Sequence, residues 1–369
     1  MKKVIVFLGT RPEAIKLAPV IEALQGSDKF ETLICSTGQH KEMLQQVLDF
    51  FRIPVHFTLE VMEPNQQLAG LTAKLLTKIN DLLREEKPDY ILVQGDTTTT
   101  FAASLAAFYN KVKVLHVEAG LRTFDKYSPF PEEMNRVFTS KLADFHYPPT
   151  EQSYLNLLAE GVAPEKMLIT GNTVIDALFL GLKKIENTIP EGITALKLDK
   201  VKDFILVTMH RRENHGAGIR NICSAIKKIA EETQVPVIFP VHLNPNVKDD
   251  VHELLGGNLL IHLTPPFAYP EFLWLLHNSR LILTDSGGVQ EEAPSLGKPV
   301  LLLRDTTERP EAVDAGTVLK VGSDADVIYK EAMNLLTNKD AYDAMATKSN
   351  PYGDGRSSER ILASMLNLA

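Results

Sequence analysis

Residues 281–317 read LILTDSGGVQEEAPSLGKPVLLLRDTTERPEAVDAGT and combine an apolar strand, a glycine turn, a helix and a second strand. The apolar run at 281–284 leads into DSGG at 285–288, where the helix is expected to begin. A helix that starts in a glycine turn after a parallel strand points backbone N–H groups at an anion. The two glycines let a phosphate approach the main chain, and the Ser286 hydroxyl adds a donor. This unit predicts a phosphate or nucleotide site.

The same residues also have a purely structural interpretation. Asp285 and Ser286 are residue types that cap helices, and Glu291 and Glu292 suit the positive end of a helix dipole. Capping does not account for Pro294, which the pattern places inside the helix at a cost of about 3 kcal/mol. Because local rules are often broken at working sites, we favour a ligand site, in which one of the two glutamates holds ribose hydroxyls.

Composition sets limits on the class of protein. The chain has 369 residues, 44% hydrophobic and 23% charged, which suits two globular domains. A net charge of −8 without a sustained basic run argues against a nucleic-acid surface. No secretory pattern and no apolar run of about 20 residues is found, so we expect a cytoplasmic protein without a membrane partner. Cys35 and Cys223 are expected to be reduced core residues.

Outward from the deciding stretch, apolar strands alternate with helices through both halves of the chain. This alternation predicts an α/β protein with two doubly wound parallel sheets, and ligands are expected at the carboxyl ends of the strands. The weakly patterned stretch 187–203 places the domain change between about 170 and 200. We therefore expect one domain over 1–170, a second over 171–350, and a cleft between them as a ligand site. A lone glycine after the first strand, Gly9, argues against a nicotinamide cofactor.

Three acidic side chains of the first half follow strands or open a helix: Asp96, Glu118 and Glu132. Each alone is compatible with a helix cap or a solvated carboxylate. Gathered at the ligand-facing edge of one sheet, they indicate general acid–base groups. Crowded carboxylates also raise one another's pKa, so that one can stay protonated while another accepts a proton.

Basic side chains occupy similar positions. Arg11 and Lys16 lie on the first turn and helix, Arg136 follows Pro131, and His210 and Arg211 end a strand of the second half. No His/Cys spacing predicts a metal site, and no nucleophile elbow occurs. The residues therefore predict an anionic, nucleotide-linked substrate, with its phosphates on the second half and acids and bases on the first.

Read together, nine segments in order resemble the non-hydrolysing UDP-N-acetylglucosamine 2-epimerases, and they cover nearly the whole chain. These are GTRPEAIKLAP (9–19), QGDTTTT (94–100), HVEAGLRT (116–123), PEEMNR (131–136), TGNTVIDAL (170–178), HRREN (210–214), PVHLNPNV (240–247), DSGGVQEEAPSLGKPV (285–300) and RDTTERPEAV (304–313).

The resemblance implies two Rossmann-like domains in a glycosyltransferase-B-like arrangement, with a final helix, residues 351–369, that crosses back to the first domain. It implies a cofactor-free homodimer that interconverts UDP-N-acetylglucosamine and UDP-N-acetylmannosamine for cell-surface polysaccharide. The family eliminates UDP in the anti sense to give 2-acetamidoglucal and adds UDP back with protonation on the opposite face.

The resemblance also implies roles for single residues. The acid–base candidates are Asp96, Glu118 and Glu132. Departure of UDP would be assisted by His210, Arg11, Lys16 and Arg136. Phosphate would be bound by Ser286, Gly287 and Gly288, the ribose by Glu292 and the uracil by Phe272.

Some bacterial members are activated by a second UDP-N-acetylglucosamine beside the active site. Gln39, His40, Arg211 and His242 match residues around that allosteric site. The nearby loop often carries an arginine where this chain has Asn65, so the activation is expected to be weaker or absent.

Two rival functions remain open at this point. One is a glycosyltransferase of the same architecture, which would need an acceptor. The other is a non-catalytic sugar-nucleotide sensor, which would bind the ligand without turnover.

Overall fold

The computed structural model describes residues 1–38, 41–63, 66–211, 214, 216–242, 244–307 and 309–368. It divides into two compact units. The N-terminal unit is Met1–Leu180 with the segment from Gly353 onward, and the C-terminal unit is Gly181–Tyr352. Each unit contains one parallel sheet covered by helices.

The elements alternate along the chain as the sequence predicts. The strands are β1 (Lys2–Leu8), β2 (Phe30–Ser36), β3 (Phe57–Thr58), β4 (Tyr90–Gln94), β5 (Lys113–Val117), β6 (Phe145–Tyr147), β7 (Ile205–Thr208), β8 (Val237–Pro240), β9 (Ile261–Thr264), β10 (Leu281–Thr284), β11 (Val300–Leu302) and β12 (Val318–Lys320). The helices are α1 (Arg11–Gln25), α2 (Lys41–Phe51), α3 (Leu68–Glu86), α4 (Thr98–Asn110), α5 (Glu132–Leu142), α6 (Glu151–Ala159), α7 (Thr173–Ile185), α8 (Glu191–Ala195), α9 (Ala217–Thr233), α10 (Pro245–Leu255), α11 (Tyr269–Asn278), α12 (Gly287–Glu292), α13 (Pro310–Asp314), α14 (Ala325–Thr337), α15 (Lys339–Ala346) and α16 (Ser357–Leu368).

Both sheets are doubly wound. The strand order is β3-β2-β1-β4-β5-β6 in the N-terminal unit and β12-β11-β10-β7-β8-β9 in the C-terminal unit, with parallel pairing throughout. The predicted fold class is therefore confirmed. In each sheet the winding reverses at its centre, between β1 and β4 and between β10 and β7. Connections leave these two strands towards opposite faces, so the loops at their carboxyl ends diverge and leave room for a ligand.

The strands form where the sequence is apolar on both faces. Residues 4–8 of β1 and all of β10 are buried, as expected for central strands covered by helices on both sides. Periodicity did not single out the three-residue strands β6 and β12, because so short a run carries no readable period. The two-residue strand β3 is shorter still, and it extends the sheet beside β2.

The helix after the DSGG turn is shorter than predicted. Helix α12 ends at Glu292, and residues 293–296 form a 3₁₀ helix that Gly297 stops in the left-handed conformation, at φ 63°. Pro294 lies in the first turn of this 3₁₀ helix, where no N–H is required. The cost expected for a proline inside a helix therefore does not arise, and that part of the prediction is wrong.

The two cysteines are free and fully buried, so the prediction of reduced core residues is confirmed. Cys35 packs in the N-terminal core with Ile5, Phe7 and Leu75, and Cys223 belongs to the core of the C-terminal unit. Burial raises the pKa of the Cys223 thiol to about 12. Among the described residues, no helix combines the length and the apolar character needed to cross a bilayer.

The last helix, α16, belongs to the N-terminal unit. Asp176 accepts the backbone N–H groups of Ser357 and Ser358 at 3.1 and 2.7 Å and caps the start of this helix. At the other end, the Tyr90 hydroxyl donates to the carbonyl of Leu368 at 2.8 Å. The helix is thus held by hydrogen bonds to α7 and to a central strand.

Two buried histidines predict acid sensitivity. His116 and His146 face each other across β5 and β6 with ring centroids 6.5 Å apart. Burial lowers the pKa of His116 to about 3 and that of His146 to about 4. The unfolded chain binds these protons near pH 6.5, so stability is present above that pH and is lost as the pH falls towards 4. Each histidine should cost about 1.4 kcal/mol per pH unit in that window.

Denaturant unfolding at several pH values between 7 and 4 would measure this loss. His146→Gln should show a shallower decline of the unfolding free energy with falling pH than the unchanged protein. Parallel declines in the two proteins would contradict the assignment of His146 as a group that titrates on unfolding.

Candidate functional site

The turn between β1 and α1 places two cations at the centre of the N-terminal sheet. Thr10 is the N-cap of α1 and forms a capping box with Glu13, and Pro12 lies in the first helical turn. These features start the helix at Arg11 and bring Lys16 one turn later to the same edge of the sheet. Both cations are partly buried.

Lys16 pairs with Glu118, the residue that follows β5. Its Nζ lies 2.7 Å from Oε1 and 2.5 Å from Oε2 of Glu118. Gln94, the last residue of β4, donates from Nε2 to Glu118 Oε2 at 2.8 Å. Glu118 is 8% exposed and has a left-handed backbone, φ 59°, which turns the chain sharply out of the strand. The carboxylate of Glu118 and the ammonium group of Lys16 are therefore in direct contact at the carboxyl ends of the strands.

A second ion pair joins Asp96 to α5. Arg136 lies 2.6 Å from Asp96 Oδ2 through NH2 and 3.3 Å from Glu133 Oε2 through NH1. Asn135 donates from Nδ2 to the backbone carbonyl of Asp96 at 3.0 Å. The structure thus forms two cation–carboxylate pairs, Lys16 with Glu118 and Arg136 with Asp96.

Helix α5 shows a carboxylate that sequence reasoning did not select. Glu132 opens the helix and is partly buried. Its neighbour Glu133 is 3% exposed, pairs with Arg136 and accepts the backbone N–H groups of Thr123 and Phe124 at 3.1 and 3.0 Å. Both glutamates stand in the PEE sequence, and only the phase of the helix decides which one points inward.

In the C-terminal unit, Asp285 organises the loop after β7. It is fully buried and accepts the backbone N–H of His210 at 3.1 Å, that of Arg211 at 2.9 Å and the Asn214 amide at 3.1 Å. Ser286 is the N-cap of α12, but its side chain makes no capping hydrogen bond. The structural interpretation of Asp285 and Ser286 as side-chain caps is therefore wrong, because Asp285 binds the neighbouring loop.

His210 is held beside the same carboxylate, with Nδ1 3.3 Å from Asp285 Oδ1. Burial lowers the pKa of His210, Asp285 opposes that shift, and Arg211, His242 and Arg304 add to it. The nearby carboxylate favours the neutral tautomer with its proton on Nδ1, and Nε2 is then an acceptor. The His242 ring lies 6.4 Å from that of His210.

The glycine turn contacts an arginine that sequence reasoning missed. A Cβ atom on Gly287 would lie 2.6 Å from NH1 of Arg309, whose Nε donates to Glu291 Oε1 at 2.6 Å. Glu292 is 6% exposed on the same short helix, and Phe272 is partly buried on α11. The arginine stands 18 residues after Glu291, so only the RDTTERPEAV motif could have indicated it.

Part of the predicted allosteric set lies outside the described residues, namely Gln39, His40 and the departing position Asn65. Arg211 and His242 are described and lie beside His210, where Arg211 donates its backbone N–H to Asp285. Within the described ranges, no group of three His, Cys, Asp or Glu side chains is arranged to hold a metal ion.

Comparison with known proteins gives the family. The family model described as UDP-N-acetylglucosamine 2-epimerase matches residues 22–366. The chain is 52% identical to the UDP-N-acetylglucosamine 2-epimerase of Yersinia pestis, over 99% of this chain and 98% of that protein.

Solved structures agree with this match. The chain superposes with a TM-score of 0.89 on the Neisseria meningitidis UDP-GlcNAc 2-epimerase bound to UDP-GlcNAc, at 50% identity over 100% of both chains. The TM-score is 0.81 for the Methanocaldococcus jannaschii UDP-GlcNAc 2-epimerase in complex with UDP-GlcNAc and UDP, at 38% identity over 100% of both chains.

The likeness extends more weakly to Acinetobacter baumannii MurG, with a TM-score of 0.61 and 14% identity over 100% of both chains. At that identity it shows a shared glycosyltransferase-B-like fold alone. The match to the family model and the full-length identity to its members establish the relationship. The chain belongs to the UDP-N-acetylglucosamine 2-epimerase family.

Proposed function

We propose that the protein interconverts UDP-N-acetylglucosamine and UDP-N-acetylmannosamine by inverting C2 of the sugar. The observation that carries this proposal is the identity of about half of all residues, over the full length, to epimerases of which one is solved with UDP-GlcNAc bound. The acidic and basic side chains at the sheet edges are of the kinds that the reaction needs.

The chemistry explains why both kinds of group are required. The C2 proton is not acidic, since the neighbouring groups do not stabilise a carbanion. Removal of that proton is therefore coupled to breaking of the C1–O bond, whose electron pair leaves with UDP as the C1–C2 double bond forms. UDP then returns to C1 while C2 is protonated on the opposite face. No electrons are gained or lost overall, so no redox cofactor is needed.

The N-terminal unit supplies the acid–base groups in this proposal. Glu118 and Asp96 are held in place by Lys16 and Arg136, at 2.5 and 2.6 Å. A carboxylate transfers a proton effectively when it is already held in the geometry that the reaction needs. Glu132 is the third candidate. Inversion at C2 needs one group that removes the proton from one face of the sugar and another that delivers a proton to the opposite face.

The C-terminal unit supplies the groups for UDP. The first N–H groups of a helix have no intrahelical acceptor, and Ser286, Gly287 and Gly288 stand at the start of α12. In this proposal they bind phosphate, Glu292 binds the ribose and Phe272 contacts the uracil.

His210 is proposed to assist the departure of UDP, together with Arg11, Lys16 and Arg136. Burial lowers the pKa of His210 in the free protein. A diphosphate beside the ring adds negative charge, which favours the protonated imidazole that can stabilise the leaving group. The proton of His210 would thus be gained as the ligand binds.

Finer parts of the proposal rest on family resemblance. We place the enzyme in the cytoplasm as a homodimer that supplies N-acetylmannosamine units for cell-surface polysaccharide. An allosteric response through Gln39, His40, Arg211 and His242 is proposed to be weak, because Asn65 replaces the arginine that is often present.

Proton NMR in heavy water tests the reaction itself. With UDP-N-acetylglucosamine and no acceptor, the manno epimer should form with deuterium at C2, together with traces of free UDP and 2-acetamidoglucal. Binding without any turnover would favour the sugar-nucleotide sensor. A requirement for an acceptor would favour the glycosyltransferase.

Asp96→Asn and Glu118→Gln test the acid–base assignment. Each change keeps the shape of the side chain and removes its proton-transfer function, so kcat should fall by about 100-fold or more. Affinity for UDP, measured by calorimetry, should stay close to that of the unchanged protein. Wild-type turnover in either variant would remove that residue from the mechanism.

Gly287→Ala tests the glycine turn. The added methyl group would displace the Arg309 guanidinium from Gly287 and weaken its bond to Glu291. Affinity for UDP should fall by about tenfold, because the methyl group lies where the phosphate is proposed to approach the main chain. The thermal midpoint should fall as well, since the buried carboxylate of Glu291 is then less well paired. Gly70→Ala, with open space around the new methyl group, is the control. Equal UDP affinity in both variants would contradict the assigned phosphate site.

A further inference from the structure

Glu13 is a buried carboxylate at the start of α1. Only 1% of its surface is exposed. Its Oε2 accepts the backbone N–H of Gly9 at 3.0 Å, and the N–H and hydroxyl of Thr10 at 2.8 Å each. This oxygen thus satisfies donors of the β1–α1 turn that precede the helix.

The other oxygen reaches a different loop. Glu13 Oε1 accepts the hydroxyl of Thr97 at 2.7 Å. Thr97 is the N-cap of α4 and follows Asp96 directly in the turn after β4. One carboxylate therefore bridges the two turns that diverge at the centre of the N-terminal sheet, where β1 and β4 lie side by side.

Helix capping alone does not account for this arrangement. A capping box needs a single oxygen at the third helical position, and such a glutamate can remain in solvent. Here the second oxygen is used by another element, and burial raises the pKa of the carboxyl group against the effect of its hydrogen bonds. Burying a carboxylate is costly, so a bridge that only capped α1 would gain little from it.

The C-terminal unit also contains a buried carboxylate that bridges two loops. Asp285, after β10, accepts the backbone N–H groups of His210 and Arg211 in the loop after β7, across the centre of the second sheet. In both units a buried carboxylate joins the loops on the two sides of the point where the winding reverses.

We propose that Glu13 is a positioning residue of the epimerase reaction, which fixes the start of α1, the helix that carries Arg11 and Lys16, relative to the turn carrying Asp96. This inference rests on the proposed function. Two further anchors hold the Asp96 turn, since His116 Nε2 donates to Gly95 O at 2.8 Å and Asn135 donates to Asp96 O at 3.0 Å. The Glu13–Thr97 hydrogen bond connects this turn to α1.

Two substitutions of Glu13 separate hydrogen bonding from charge. In Glu13→Gln the amide oxygen can accept the two backbone N–H groups, and the amide NH₂ can donate to the Thr97 oxygen. Glu13→Ala loses all of the hydrogen bonds made by the Glu13 side chain. Glu13→Gln should therefore keep kcat within about threefold of the unchanged enzyme, while Glu13→Ala should lower it by about 10- to 100-fold with KM little changed.

Asp176→Ala is the matched control. Asp176 is also buried and also accepts two backbone N–H groups and a hydroxyl, but it caps α16. If Glu13→Ala acted only by destabilising the unit, Asp176→Ala would lower kcat equally. We expect Asp176→Ala to keep kcat within about threefold at a temperature where it is folded.

Hydrogen exchange gives a readout that does not depend on turnover. In Glu13→Ala, the amides of Gly9, Thr10, Arg11 and Glu13 and those of residues 94–98 should exchange faster, whereas Asp176→Ala should leave them protected. Unchanged protection at 94–98, wild-type kcat in Glu13→Ala, or an equal loss in Asp176→Ala would each overturn the proposal. If the unchanged protein does not epimerise, the proposed function fails, and the exchange data still decide whether Glu13 couples the turns.

Thr97 tests the same bridge from its other end, should Glu13→Ala fail to fold. Thr97→Ser keeps the hydroxyl that donates to Glu13, and Thr97→Val removes it. The serine variant should keep kcat within about threefold and the valine variant should lose about tenfold or more. Equal turnover in the two variants would overturn the proposal.

Discussion

The structure depends on buried carboxylates that join diverging loops. At the centre of a doubly wound sheet, the chain leaves neighbouring strands towards opposite faces, so the backbone N–H groups of the two loops have no sheet partner. Glu13 satisfies such groups in the N-terminal unit and Asp285 in the C-terminal unit. Each oxygen pair accepts several N–H and hydroxyl donors, which offsets part of the cost of burying a charge.

These carboxylate bridges position the reactive groups. In the N-terminal unit the bridge joins α1, which carries Lys16, to the turn that carries Asp96, and each residue belongs to a cation–carboxylate pair completed from another element. In the C-terminal unit Asp285 fixes the backbone of His210 and also lies beside its ring. The buried carboxylates therefore hold Lys16, Asp96 and His210 in place through hydrogen bonds between loops, and effective catalysis requires groups that are positioned in advance.

Sequence reasoning succeeded where a local rule acts alone. The alternation of apolar strands and helices predicted both sheets. It failed where several elements compete for the same group. One interpretation of the sequence made Asp285 a helix cap, but its side-chain oxygens accept hydrogen bonds from the loop after β7. Sequence reasoning also did not select Glu133, which the helix phase turns towards Arg136, while Glu132 remains a proposed acid–base group.

The sequence by itself determined the fold class, the family and the residue types available at the strand ends, because periodicity and motifs are properties of the chain alone. Only the tertiary structure decided which of these residues meet. Glu13 and Thr97 are 84 positions apart, and Lys16 and Glu118 are 102 apart. Such contacts depend on strand order and helix phase, and no local pattern of residues encodes either.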